Sequence, residues 1–177
     1  WDEFGVRFNF MKHLGEASPI SDIMRLAHRL ADHNWHLQIH FDPSLLADMI
    51  PALRASPVPV VIDHMGRIDA GLGAGQPHFK QLLGLMEDQR FWMKLSGSER
   101  ISRLGPPYRD AIPFARTFMS QFGDRVLWGT DWPHPNVAGP TPDDAALLDL
   151  VAAIAPTPAE RQALLVDNPM RFYGGAS

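Results

Sequence analysis

With 177 residues, 45% hydrophobic, 20% charged and 10% aromatic, the chain can form one domain with a sizeable core, and its composition fits neither a disordered tail nor a membrane span. Its 20 acidic and 16 basic residues give a formal net charge of -4 without a block of like charge, which argues against a nucleic-acid surface and a polybasic membrane patch. The lack of cysteine excludes disulfides, thiolate zinc sites and cysteine nucleophiles, so carboxylates and imidazoles must carry any chemistry.

The chain opens at Trp1-Asp2-Glu3-Phe4 with no initiator methionine and no basic-then-apolar leader, and strand character starts almost at once. A start cut within a larger architecture is the expectation. Gly5 to Phe10 is the first apolar run, and Ser21 to His33 follows with Ile23, Leu26, Ala27 and Leu30 at helical spacing. Trp35 to Phe41 is the second strand, and Asp42-Pro43 then offers a capping carboxylate before a proline at the first helical position. Val58 to His64 is the third. Phe79, Leu82, Leu83 and Met86 form a helical stripe ahead of the fourth strand, Phe91 to Gly97. Tyr108 to Phe122 is a helix expected to stop at Gly123 through a positive φ, and Arg125 to Asp131 is the fifth strand. Thr141-Pro142-Asp143-Asp144 and Thr157-Pro158-Ala159-Glu160 each set a threonine cap before a proline and an acid, predicting two terminal helices.

This alternation calls for right-handed crossovers into a parallel sheet, either doubly wound or part of a closed barrel. Four of the five runs end in a polar residue: Asn9, His40, Asp63-His64 and Asp131, while the fourth passes through Lys94 and Ser96 to Gly97-Ser98-Glu99-Arg100. The carboxyl ends of parallel strands converge on one crevice, so these groups are expected to share a site. Asp131 is the candidate base, placed among apolar residues with Arg67 and Arg100 as compensating cations. Arg7, Arg67 and Arg100 suggest an anionic substrate, because a guanidinium matches a carboxylate through two parallel hydrogen bonds. His134, between two prolines, reads as a surface residue that could touch substrate. His13, His28, His33, His36 and His78 read as structural or exposed, and Lys94 as a snorkelling or paired core lysine.

Gly5-Val6-Arg7-Phe8-Asn9-Phe10, Ile62-Asp63-His64-Met65-Gly66-Arg67, Lys94-Leu95-Ser96-Gly97-Ser98-Glu99-Arg100, Leu127-Trp128-Gly129-Thr130-Asp131-Trp132-Pro133-His134-Pro135 and Asn168-Pro169-Met170-Arg171-Phe172-Tyr173 resemble, in order, the amidohydrolase-related TIM-barrel hydrolases. The nearest group resembles 2-pyrone-4,6-dicarboxylate hydrolases and related lactonases. The resemblance implies an α/β fold, one incomplete (β/α)8-barrel domain over residues 1–177 running from about the fourth strand to the eighth, with about 70 to 110 residues needed to complete it.

It further implies that Asp131 activates water and His64 polarises the carbonyl of a lactone. Arg7, Arg67, Arg100, His40, Asn9, Ser96 and His134 would then contact a small carboxylate-bearing substrate. The family's His-x-His pair is not in this sequence, and His13 and His40 stand where that group tends to have arginine and tyrosine. These departures leave the family intact and open a related lactone as substrate beside the pyrone dicarboxylate. No cofactor is the leading expectation. A divalent metal, zinc or manganese, would be held by His64, Asp131 and His40. A cytoplasmic enzyme is expected, with no nucleic-acid or membrane partner. A metal-dependent decarboxylase on the same scaffold and an inactive fragment are the alternatives.

Overall fold

A computed structural model describes residues 5–11, 19–137 and 139–174. His13 lies outside them. The five strands are β1 Gly5–Phe10, β2 His36–Phe41, β3 Val60–Ile62, β4 Phe91–Lys94 and β5 Val126–Leu127, joined into one all-parallel sheet in chain order. The larger connecting helices are α1 Ile20–Ala31, α2 Leu46–Arg54, α3 Pro77–Met86 and α5 Ile112–Phe122, with the short α4 Ser98–Ile101 between the last two. The chain closes with α6 Asp144–Asp149, α7 Val151–Ile154, α8 Pro158–Gln162 and α9 Asn168–Tyr173.

Register decides what each sheet face carries. Because side chains alternate along a strand, Val6, Phe8 and Phe10 share a face with Leu37, Ile39 and Phe41, then with Val60, Ile62, Phe91, Met93 and Val126. The helices bury their stripes on that face: Ile23, Ala27 and Leu30 from α1, Leu46, Met49 and Leu53 from α2, Phe79 and Leu82 from α3, and Phe114 and Phe118 from α5. Each such aliphatic or aromatic side chain contributes roughly 1.5–3 kcal/mol by leaving water. The opposite face holds Arg7, Gln38, Val61 and Trp92 in register, with Lys94 and Leu127 paired beyond them. Its amino-terminal end is closed by Phe172 and Tyr173 of α9, whose rings pack on His36 and Trp92. Apart from His36, held under these rings, the polar side chains of this face lie towards its carboxyl-terminal end.

Three strands are shorter than the apolar runs that encode them. The expected Val58–His64, Phe91–Gly97 and Arg125–Asp131 pair only over Val60–Ile62, Phe91–Lys94 and Val126–Leu127. In each case the chain then turns left-handed, at His64 (φ 50), Gly97 (φ 73) and Asp131 (φ 70), which a ladder cannot follow. Gly123 does not end α5 through a positive φ as expected, since its φ is -58. Thr141 is not the cap of α6: Asp143 is, its carboxylate accepting from the N–H of Ala145 at 2.9 Å. That acid, two residues later, complements the helix dipole better than a hydroxyl would. Two other sequence signals hold as written. Asp42 caps the turn Pro43–Leu45, and Thr157 and Glu160 form a reciprocal capping box at α8.

Candidate active site

The polar end of the sheet is built around Asp63, whose residue is 1% exposed. Its carboxylate accepts from Arg7 Nε at 2.6 Å and from Gln38 Nε2 at 2.8 and 3.0 Å, and Lys94 Nζ stands 3.5 Å away. Lys94 also donates to Gln38 Oε1 at 2.9 Å, so one residue from each of β1, β2 and β4 converges on the end of β3. Burial pushes the Asp63 carboxyl up, but Lys94, His64 and Arg7 together outweigh it and hold the group below the usual carboxylate range. Lys94 is thus the paired lysine that the strand pattern predicts, and it also lines the cavity.

Beyond Asp63 the backbone takes four consecutive left-handed residues, His64, Met65, Gly66 and Arg67, with φ of 50, 51, 60 and 59. Such conformations cost about 1–2 kcal/mol for each non-glycine residue. They persist because the turn is pinned: His78 Nε2 contacts Gly66 O at 2.6 Å, and a Cβ on Gly66 would meet Leu82 at 2.7 Å. The turn throws the imidazole of His64 inward. Its Nδ1 meets Ser96 Oγ at 3.0 Å, and its Nε2 stands 3.4 Å from Asp131 Oδ1. Gly97 permits this approach, since a Cβ there would lie 2.7 Å from His64 Cβ.

Burial lowers the pKa of His64 to about 3, with His40, Arg100 and Arg7 adding to the fall and Asp63 opposing it. Burial likewise takes His40 to about 4, against Asp63 and with Arg7, Arg67 and Arg100. Both rings are uncharged near neutral pH, so the His64–Asp131 contact is a polar contact of a neutral imidazole and not an ion pair. The two rings meet edge to face with centroids 5.0 Å apart, and His40 Nδ1 contacts Arg7 Nη2 at 3.2 Å.

Asp131 is clamped by Arg100, whose guanidinium bonds its Oδ2 and donates to Pro135 O at 3.1 Å. Two adjoining cavities open on Asp131. One, of about 250 Å³, is lined by Arg7, Gln38, Asp63, His64, Lys94 and Asp131 with Ser96, Trp128 and Trp132. The other, of about 80 Å³, is lined by Arg7, Asn9, His40, Arg67, Arg100 and Asp131. Across both, four basic side chains (Arg7, Lys94, Arg67, Arg100) face two carboxylates (Asp63, Asp131). Arg67 makes no hydrogen bond among the described residues, and burial lowers its pKa, Arg100 adding to the effect.

The structure thus brings Asp131, His64, Arg7, Arg67, Arg100, His40, Asn9 and Ser96 to one mouth. His134 is placed differently: it lines neither cavity, and its expected surface position is wrong, because its side chain is 1% exposed. Its ring is drawn in by a contact from Nε2 to Asp144 Oδ1 at 3.0 Å. Gln38 and Trp132 line the site without having been singled out for it, although Arg7, Gln38 and His40 fall on one face by simple alternation, and Asp63 and Lys94 join it as expected of strand-end groups but with no role assigned to them beforehand. Glu99 was also missed. Its side chain is 1% exposed and burial raises its pKa, since it lies in a helical turn behind Arg100 that strand periodicity does not reveal.

Amidohydrolases often use divalent ions, so the donor set matters. The conditional set His40, His64 and Asp131 is not brought together as a ligand group. Among the described residues, the three whose ligand atoms all lie within 4.8 Å of one another are Glu99, Asp131 and His134. Two carboxylates and an imidazole suit zinc or manganese.

The family model described as Amidohydrolase matches residues 3–175. A 2-pyrone-4,6-dicarboxylate hydrolase of Comamonas testosteroni is 46% identical over 178 residues, covering 96% of this chain and 58% of the relative. A 4-sulfomuconolactone hydrolase of Rhizobium radiobacter is 39% identical over 173 residues, covering 96% and 58%. The chain therefore spans a little over half the length of these curated relatives. A crystal structure of an Agrobacterium tumefaciens protein in its apo state superposes with a TM-score of 0.80 at 31% identity, covering 95% of this chain and 61% of that one.

Proposed function

The chain belongs to the amidohydrolase family, and from that premise we propose that its protein opens the lactone ring of a small carboxylate-bearing compound with water activated by Asp131. The observation that carries this reading is the joint mouth where Asp131 meets the neutral imidazole of His64 at 3.4 Å beneath a surplus of guanidinium groups. Asp131 takes a proton from water as the oxygen attacks the lactone carbonyl. The ring C–O bond breaks in the collapse that follows, and the proton held on Asp131 passes to the departing ring oxygen, giving an open-chain acid. A hydrogen bond from His64 Nε2–H to the carbonyl oxygen would stabilise the developing negative charge, with Ser96 holding the other ring nitrogen.

Arg67, free of competing hydrogen bonds among the described residues, is suited to grip a substrate carboxylate in two-point fashion, with Arg7 and Arg100 at its sides. The two curated relatives act on a pyrone dicarboxylate and a sulfomuconolactone by name, which supports an anionic lactone as substrate. We read the five parallel strands as a portion of a (β/α)8 barrel, because in that fold reacting groups come from successive strand ends on one face. A cytoplasmic enzyme is part of the same reading.

The test is a ring-opening assay on the full-length protein. Loss of ring absorbance is expected with the pyrone dicarboxylate or with a muconolactone bearing a second anionic group. Turnover of neither, by a folded protein, would sink the proposal.

A further inference from the structure

Behind the Arg100–Asp131 clamp lies a set of donors that ring opening does not use. Glu99 is buried there, and neither carboxylate oxygen makes a hydrogen bond to another residue. Nδ1 of His134, equally buried, makes none either and lies 3.9 Å from Glu99 Oε1. The other ring nitrogen settles what faces what. Asp144 Oδ1 stands 3.0 Å from Nε2, so that nitrogen is engaged and Nδ1 is the one left facing Glu99. Buried polar atoms without hydrogen-bond partners then face each other in a region shielded from water, an arrangement that a cation between them would resolve.

We propose that Glu99, Asp131 and His134 form a binding site for a divalent transition-metal ion, with Asp144 as the outer partner that fixes the imidazole. The donor atoms already lie within 4.8 Å of one another, so moderate side-chain closure brings them to coordination distance. A carboxylate behind a metal-bound imidazole is the usual means of setting its tautomer. Three protein ligands leave the ion an open position. Glu99 and His134 stand outside the lactone chemistry, and only Asp131 is shared, so the site is testable whether or not the lactone reading holds.

Arg100 is the competitor, because it occupies Asp131 and lies 3.5 Å from Glu99 Oε1. The guanidinium, already on Asp131 Oδ2 and beside Glu99, opposes an entering cation by its charge. Removal of that charge should therefore tighten ion binding, the reverse of what loss of a structural arginine would do.

The experiment uses full-length protein loaded with zinc, dialysed, and analysed for bound metal and for affinity against a chromophoric chelator. Wild type is expected to hold about one equivalent of zinc more than Glu99→Gln and His134→Gln. Asp144→Asn should weaken zinc about 10- to 100-fold, and Arg100→Met should strengthen it. Equal zinc content in wild type and both ligand variants would overturn the site. If those variants do not fold, the nitrogen-15 resonances of His134 in wild type decide: a large zinc-dependent shift at Nδ1 is expected. An Nδ1 that is protonated and indifferent to zinc would show instead that a hydrogen bond to Glu99 fills this space.

Discussion

Nε2 of His64 stands 3.4 Å from Oδ1 of Asp131, while the second oxygen of that carboxylate is held by Arg100. The two oxygens are thus differentiated: one is occupied by a cation and the other faces a neutral ring and the cavity. Asp131→Asn keeps the shape and removes the base, so kcat for ring opening should fall about 10²- to 10⁴-fold with little change in KM. Steady-state kinetics check this, and wild-type turnover in the variant would remove Asp131 from the mechanism.

Arg67→Met should act on binding. Loss of a charged hydrogen-bonding partner worth about 1.5–3 kcal/mol raises KM by roughly tenfold or more for a substrate carboxylate. An analogue lacking that carboxylate should bind both proteins alike. Equal losses for both would show that the residue supports structure instead.

Burial depresses the pKa of His64 from 6.5 to about 3 and of His40 from 6.5 to about 4. Between those values the unfolded chain binds more protons than the folded one, so stability rises with pH. The contribution is fully present above pH 6.5 and is lost as pH falls towards about 4, at up to about 1.4 kcal/mol per pH unit for each ring. Asp63, depressed overall by its cations, adds loss in the same direction at lower pH. Urea unfolding at a series of pH values should show this slope, and His64→Gln should flatten it. An unchanged slope in that variant would contradict the buried, neutral ring.

Gly97→Ala should disturb both stability and catalysis. Its φ is 73, and the new Cβ would lie 2.7 Å from His64 Cβ, so the backbone is strained and the imidazole is pushed away from Asp131. A cost of about 1–3 kcal/mol is expected in denaturant unfolding, together with a fall in kcat. Full activity would mean that His64 can relocate freely.

Asn168 reports on the far end of the sheet. Its side-chain amide donates to Gly123 O and Val126 O, both at 2.8 Å, tying α9 to the start of β5. Asn168→Ala leaves two carbonyls without that donor and should cost about 1–3 kcal/mol in unfolding experiments, with activity per folded molecule largely kept.

Much of this was legible in the chain itself. Period-two alternation and flanking turn residues located β1 and its end at Phe10, and the capping box of Thr157 and Glu160 announced α8, because both signals are local and need no partner. The polar strand ends named Asp131, His64 and the arginines, because a parallel sheet must gather its carboxyl ends on one side.

What the linear pattern could not decide was which groups share a small volume of low dielectric. Whether Lys94 snorkels or pairs depends on Asp63 and Gln38 arriving from other strands, and whether His134 is exposed depends on Asp144 reaching back to it. Glu99 has no role in the linear pattern, and its burial shows only once Arg100 and His134 are folded around it. Local sequence determines period, caps and turns, since these depend on near neighbours; burial, charge state and ligand geometry are set by contacts across the sheet, which only tertiary packing brings about.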